Sequence, residues 1–184
     1  MNGQNEGRRA GMPWVWGATR EEVMAAYPCD DLAGPDDDRL VRAVRVAAPA
    51  HEVYTWLGNL RVAPYSYDWI DNLGRRSPRR PMPELGPFRT GQKVMYIFAV
   101  EDVTPGTDVT VRTRPGRRFA LFGDVWVTYR VVPEGDGSRL VAVLRFGAGR
   151  GPLNRVRRRL LSWGDLPMMR KQLHTLRDLA ERTA

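Results

Sequence analysis

The chain has 184 residues, of which 42% are hydrophobic and 27% charged, with a formal net charge of +8. That length and balance suit one soluble globular domain with a sizeable core. A single cysteine, Cys29, excludes an internal disulfide and a CxxC metal knuckle, and the longest strongly apolar run, Val94 to Val100, is too short to span a bilayer. The only lysines are Lys93 and Lys171. An arginine skew beside abundant Ala, Gly and Pro fits a GC-rich coding sequence and is discounted as a nucleic-acid signal. Residues 1–11 are polar and glycine-rich, without the apolar core of a secretory signal, so a cytoplasmic, bacterial-type protein is expected.

Residues 1–38 read as an N-terminal extension, with 1–11 disordered. Trp14, Val15 and Trp16 are apolar and should dock on something. Thr19 and Glu22 have capping-box spacing, predicting a short helix over 19–26. Residues 28–38, with Gly34-Pro35 and three consecutive aspartates, read as a loop. Adjacent loop acids are usually solvated, so no metal is expected there. No cofactor is expected at all.

The main domain is placed at 39–184. Leu40 to Ala47 reads as the first strand, with Arg39, Arg42 and Arg45 set against its apolar residues. Pro49 opens a short amphipathic helix carrying Val53, Trp56, Leu57 and Leu60. Tyr65 to Leu73 reads as a second short helix, and residues 74–91 as an arginine-, proline- and glycine-rich loop. Gln92 to Val103 predicts a strong strand, with Val94, Tyr96, Phe98 and Val100 alternating. After the Pro105-Gly106 turn, Thr107 to Thr113 returns. Arg118 to Phe122 reads as a short strand and Asp124 to Val132 as the next. Glu134 to Gly137 is a hairpin turn, and Arg139 to Phe146 closes the sheet.

Pro152 to Arg182 is long enough for a major helix. Leu153, Val156, Leu160, Leu161, Trp163 and Leu166, continued by Met169, Leu173, Leu176 and Leu179, predict one apolar stripe with charge on the other face. Gly164 and Pro167 predict a kink or break near residues 164–166. Strands followed by a helix give an α+β domain, and a curved sheet around one helix is expected to leave an apolar cavity.

The order of these pieces resembles the START-like, Bet v 1-like superfamily, which includes polyketide cyclases and lipid-transfer proteins. The resemblance is carried by Arg42 to Leu57, a strand followed by Ala48-Pro49 and a helix with Val53 and Leu57. It is also carried by the tyrosine-rich segment Tyr65 to Leu73, the hairpin Val131 to Val141 and the closing helix. Trp16 to Thr19 and Asp30 to Leu32 are similar to one bacterial branch. The resemblance implies a helix-grip fold: a curved antiparallel sheet wrapped around a long C-terminal helix, with two short helices after the first strand. It implies an apolar pocket but no particular reaction. Arg61 to Pro64 is short where the branch usually has a Gly-rich connection, which leaves the shape of the pocket entrance open.

The candidate ligand-contacting residues are Tyr65, Tyr67 and Trp69 at a rim; Tyr96, Phe98, Tyr129 and Leu144 on the inner sheet face; and Met169 and Leu173 on the helix. Phenols and indoles offer an apolar body with one hydrogen-bonding tip, which suits an oxygenated hydrophobic ligand. Neither histidine, His51 or His174, accompanies a nucleophile motif, so catalytic residues are not assigned. Cys29 lies among acids, which would raise its thiol pKa. The expected function is binding or transport of a small hydrophobic, lipid-like or polyketide-like molecule. The alternatives are a cyclase- or dehydratase-type enzyme and a module that binds anionic surfaces through its arginines. No nucleic-acid partner is expected, and at most weak, salt-sensitive association with anionic membranes. The sequence does not set the oligomeric state.

Overall fold

The computed structural model of the chain describes residues 11–67, 69, 74–116, 123–146 and 152–184. The predicted strand at Arg118 to Phe122 and most of the predicted helix at Tyr65 to Leu73 lie outside these.

Hydrophobic alternation builds one seven-stranded sheet. In chain order its strands are β1 (Val15–Trp16), β2 (Asp38–Val46), β3 (Lys93–Val94), β4 (Phe98–Thr104), β5 (Asp108–Thr113), β6 (Val125–Glu134) and β7 (Gly137–Phe146). They lie side by side as β1-β2-β7-β6-β5-β4-β3. Every pairing is antiparallel except that of β1 with β2. The helices are α1 (Arg20–Met24), α2 (Pro28–Leu32), α3 (Ala50–Gly58) and α4 (Pro152–Thr183), with a 3-10 turn at Asn59–Arg61 extending α3 and another at Pro83–Leu85.

The inner face of the sheet carries Leu40, Val44, Val46, Val109, Val111, Val127, Tyr129, Leu140, Ala142 and Leu144. All are buried in one cluster with Trp56 and Leu57 of α3 and Met169, Leu173 and Leu176 of α4. The C-terminal end of α4 is fixed where β2 meets α3. The Ala47 amide donates to Glu181 Oε1 (2.8 Å) and the Trp56 indole donates to Thr183 Oγ1 (3.0 Å).

The outer face is also covered, and the cover is the N-terminal extension. Thr19 and Glu22 form the expected capping box. Residues 28–32, read from sequence as loop, are helical instead: Pro28 supplies a first-turn φ, and the Asp30 carboxylate accepts the Tyr27 amide at 3.1 Å. Tyr27 and Cys29 pack with Val41, Ala43, Trp126, Val141 and Val143 in a second cluster. Arginines of the outer face clamp the acids of the extension: Arg39 and Arg145 on Asp30, and Arg139 on Glu22. Burial pushes the Cys29 thiol up to about 11, a larger cause than the neighbouring Asp30. Trp14 to Trp16 does dock, as an edge strand beside β2.

Two further expectations change. The predicted strand 92–103 is a tight hairpin, β3 and β4, joined by Met95, Tyr96 and Ile97. The Met95 amide donates to the Leu60 carbonyl (2.9 Å), and Met95 and Tyr96 adopt left-handed φ values of 47° and 61°. A tertiary hydrogen bond overrides the local alternation. α4 continues through Pro167 without a break. Trp163 and Pro167 are both on its exposed side, where water can satisfy the carbonyl that loses its helical partner.

Candidate functional site

The inner face of the sheet and the two covering helices meet over side chains that are apolar with few exceptions. Between α3 and strands β5 and β6 they leave about 190 Å³ of empty space, lined by Leu57, Leu60, Phe88, Val94, Val109, Val111 and Tyr129, nowhere wide enough to hold a water molecule. Among the described lining residues only Tyr129 has a polar side-chain atom, and that atom is turned toward α4. Its fully buried phenol donates to Gln172 Oε1 of α4 (2.8 Å), and Gln172 Nε2 donates to the Pro64 carbonyl (2.6 Å). Burial raises the phenol pKa, so Tyr129 is a neutral hydroxyl.

The open cavity expected between the sheet and α4 is closed among the described residues. Tyr129 and Gln172 bridge that interval, and Met169 Sδ lies 4.0 Å from the same phenol. The remaining space lies one strand further along, under α3.

The structure brings together Tyr129, Leu144, Met169 and Leu173 in the main core, with Phe98 packed at its margin. Tyr65 is also buried, but its hydroxyl is engaged structurally. It donates to the Pro78 carbonyl (2.7 Å) and accepts from Asn59 Nδ2 (2.8 Å). Tyr67 is half-buried. Tyr96 is 48% exposed and Trp69 76% exposed, so neither faces the interior. For Tyr96 the reason is the left-handed turn after β3, which rotates it off the inner face.

A polar group that sequence reasoning missed crosses the interior. Arg42 projects from β2 onto the inner face and is fully buried. It donates to the Trp14 carbonyl (2.9 Å) and to Asp165 Oδ2 of α4 (3.4 Å). Its Nε–H has no partner among the described residues. Burial pushes the Asp165 carboxyl up to about 7, against the opposing pull of Arg42. Period-two counting from Leu40 through Val44 to Val46 places Arg42 on the inner face, and that was the available signal. His174, the histidine considered as an acid or base, instead faces the edge strand: its ring stands edge-on to Trp16 at 5.3 Å. Burial and the cations around it lower its pKa. His51 is exposed. Among the described residues no group of acids, histidines or cysteines is placed to hold a metal ion.

No family model and no curated protein matches the sequence. Solved structures do match. A protein from Thermobifida fusca determined by NMR shares 16% identity over 78% of this chain and 93% of its own, with a TM-score of 0.51. The two share a helix-grip fold, an almost wholly antiparallel sheet closed on a long C-terminal helix. Ara h 8.0201 aligns over 76% of this chain and 97% of its own, at 12% identity and TM-score 0.45. The di-domain ARO/CYC StfQ, from the steffimycin biosynthetic pathway, aligns over 79% of this chain at 14% identity and TM-score 0.48. This chain spans 51% of the length of StfQ. α4 is held by β2, through Arg42 and Asp165, and by β6, through Tyr129 and Gln172, with α3 against its C-terminal end.

Proposed function

We propose that this helix-grip domain binds a small hydrophobic molecule in the space under α3, with the Tyr129 phenol as its hydrogen-bonding contact. The observation that carries this reading is the wholly apolar lining at Leu57, Leu60, Phe88, Val94, Val109 and Val111, closed on one side by Tyr129, whose hydroxyl is turned to Gln172. Sites for small hydrophobic ligands have that composition, with many apolar surfaces and few polar groups that orient. The space is narrow, so a ligand is admitted by displacing side chains, and the exchange of Tyr129 from Gln172 to a ligand oxygen conserves one hydrogen bond. Native mass spectrometry of the protein purified from cells should show a retained small molecule. A hydrophobic fluorescent probe should bind the parent and bind Val111→Trp at least about tenfold more weakly, because the indole fills the space. Probe binding that is equal in the two proteins would overturn the reading, provided both melt cooperatively.

One observation favours a second reading, a cyclase- or dehydratase-type enzyme. Asp165 is a carboxyl poised near neutral pH beside a buried cation, as general acid–base chemistry requires. Under this reading the retained molecule loses a water mass on incubation with the parent and not with Asp165→Asn.

A further inference from the structure

Helix α4 reverses its polarity half-way along. In its last four turns the sheet-facing side is apolar: Met169, Leu173, Leu176 and Ala180 are buried. In the preceding turns polar groups share the sheet-facing side with buried Leu166. There Arg158 holds Asp38 (2.6 Å), buried Ser162 donates to the Arg158 carbonyl (2.9 Å), and Asp165 meets Arg42. Leu166 is buried there, but three apolar residues of those turns face outward: Val156 is 61% exposed, Leu160 68% and Trp163 49%. Their spacing of four and three places them on one line along the helix, with exposed Pro167 next. The single stripe read from sequence is thus two stripes on opposite sides, and the outer one is not packed against any of the described residues.

The charges beside the outer stripe indicate what covers it. Arg159, Arg170 and Lys171 are exposed on the same side of the helix. Asp165 is the only acid between Val156 and Leu176, and it is turned inward. A second copy of the chain seated on this face in antiparallel fashion would set these cations against one another. A surface that is anionic outside and apolar beneath matches both features. We propose that the outer face of α4 from Val156 to Lys171 docks on an anionic lipid bilayer. Val156, Leu160 and Trp163 sit among the upper acyl chains, and the Arg and Lys side chains reach up to the headgroups. This surface is separate from the interior space under α3, and its docking does not depend on that space being occupied.

The test is co-sedimentation of the full chain with vesicles of equimolar phosphatidylglycerol and phosphatidylcholine, and with vesicles of phosphatidylcholine alone. Binding is expected to the anionic vesicles and to fall as salt is raised. The double variant Leu160→Ser, Trp163→Ser should bind roughly tenfold more weakly, because two bulky side chains no longer leave water. Its thermal midpoint should stay within a few degrees of the parent, since neither position is buried. Arg159→Ala with Lys171→Ala should lose the preference for anionic vesicles. Parent protein that ignores anionic vesicles, or an apolar variant that binds as well as the parent, would overturn the proposal. So would a concentration-dependent dimer in sedimentation equilibrium that the serine variant dissolves, because the occupant would then be a second copy.

Discussion

Arg42 shows what one charge inside a small core demands. An arginine desolvated on the inner face is tolerated only with hydrogen-bond acceptors and a counter-charge. The structure supplies the Trp14 carbonyl from the edge strand and the Asp165 carboxyl from α4. Neither acceptor is local in sequence. Arg42→Ala should leave Asp165 without its partner and destabilise the fold by roughly 3 kcal/mol, the usual cost of breaking such a pair. Replacing both partners, Arg42→Met with Asp165→Leu, should recover most of that loss. Urea midpoints of Arg42→Met, Asp165→Leu and the double variant measure it. A double variant no more stable than the sum of the singles would show that the pair is not coupled.

At the scale of elements, the sheet depends on a close approach between β2 and β7. Gly137 opens β7 immediately after the hairpin turn, and a β-carbon there would collide with the Val46 carbonyl oxygen. Gly135, in the turn itself, has a φ of 58° but nothing near its side-chain position. The two glycines are therefore required for different reasons. Gly135→Ala should cost about 1 kcal/mol of left-handed backbone strain. Gly137→Ala should cost more, about 1–3 kcal/mol, because the last rung of the β2–β7 ladder has to part. Urea unfolding of both variants ranks them. The reverse order would show that turn strain, and not strand contact, limits this hairpin.

At the scale of the whole molecule, the pair that ties α4 to the sheet also makes stability depend on pH. The Asp165 carboxyl titrates near 7 in the folded chain, above the 3.8 of an exposed aspartate. The folded state therefore holds this proton more tightly than the unfolded state does. The stabilisation that results is complete below about pH 4 and is lost as pH rises to about 7. His174 acts in the opposite direction. Its folded pKa lies below the ordinary 6.5, so stability falls as pH drops through that value. Subtracting the thermal midpoints of Asp165→Asn from those of the parent between pH 4 and 8 isolates the aspartate. The difference should move against the parent with rising pH up to about 7, then level off. A difference that does not vary with pH would place the carboxyl in its ordinary range.

Alternation by itself located β2, β5, β6 and β7, the hairpin between the last two, and the long C-terminal helix. Proline, the capping box and period-three-to-four spacing located α1 and α3. These are local signals, and a residue two or four positions away decides them. The inner-face positions Val109, Val111, Val127, Tyr129, Ala142 and Leu144 followed from the same counting. Other features were settled by contacts between distant parts of the chain. Tyr96 left the inner face because the Met95 amide found the Leu60 carbonyl. Residues 28–32 became a helix because the outer face of β6 and β7 needed an apolar cover for Trp126, Val141 and Val143. The side of α4 that meets the sheet was set by Arg42 and Asp38, whose charges drew Asp165 and Arg158 inward and left Val156, Leu160 and Trp163 outside. Periodicity marks which residues share a side of a helix. It does not say which side turns inward, because that depends on the groups of other elements that the helix has to satisfy.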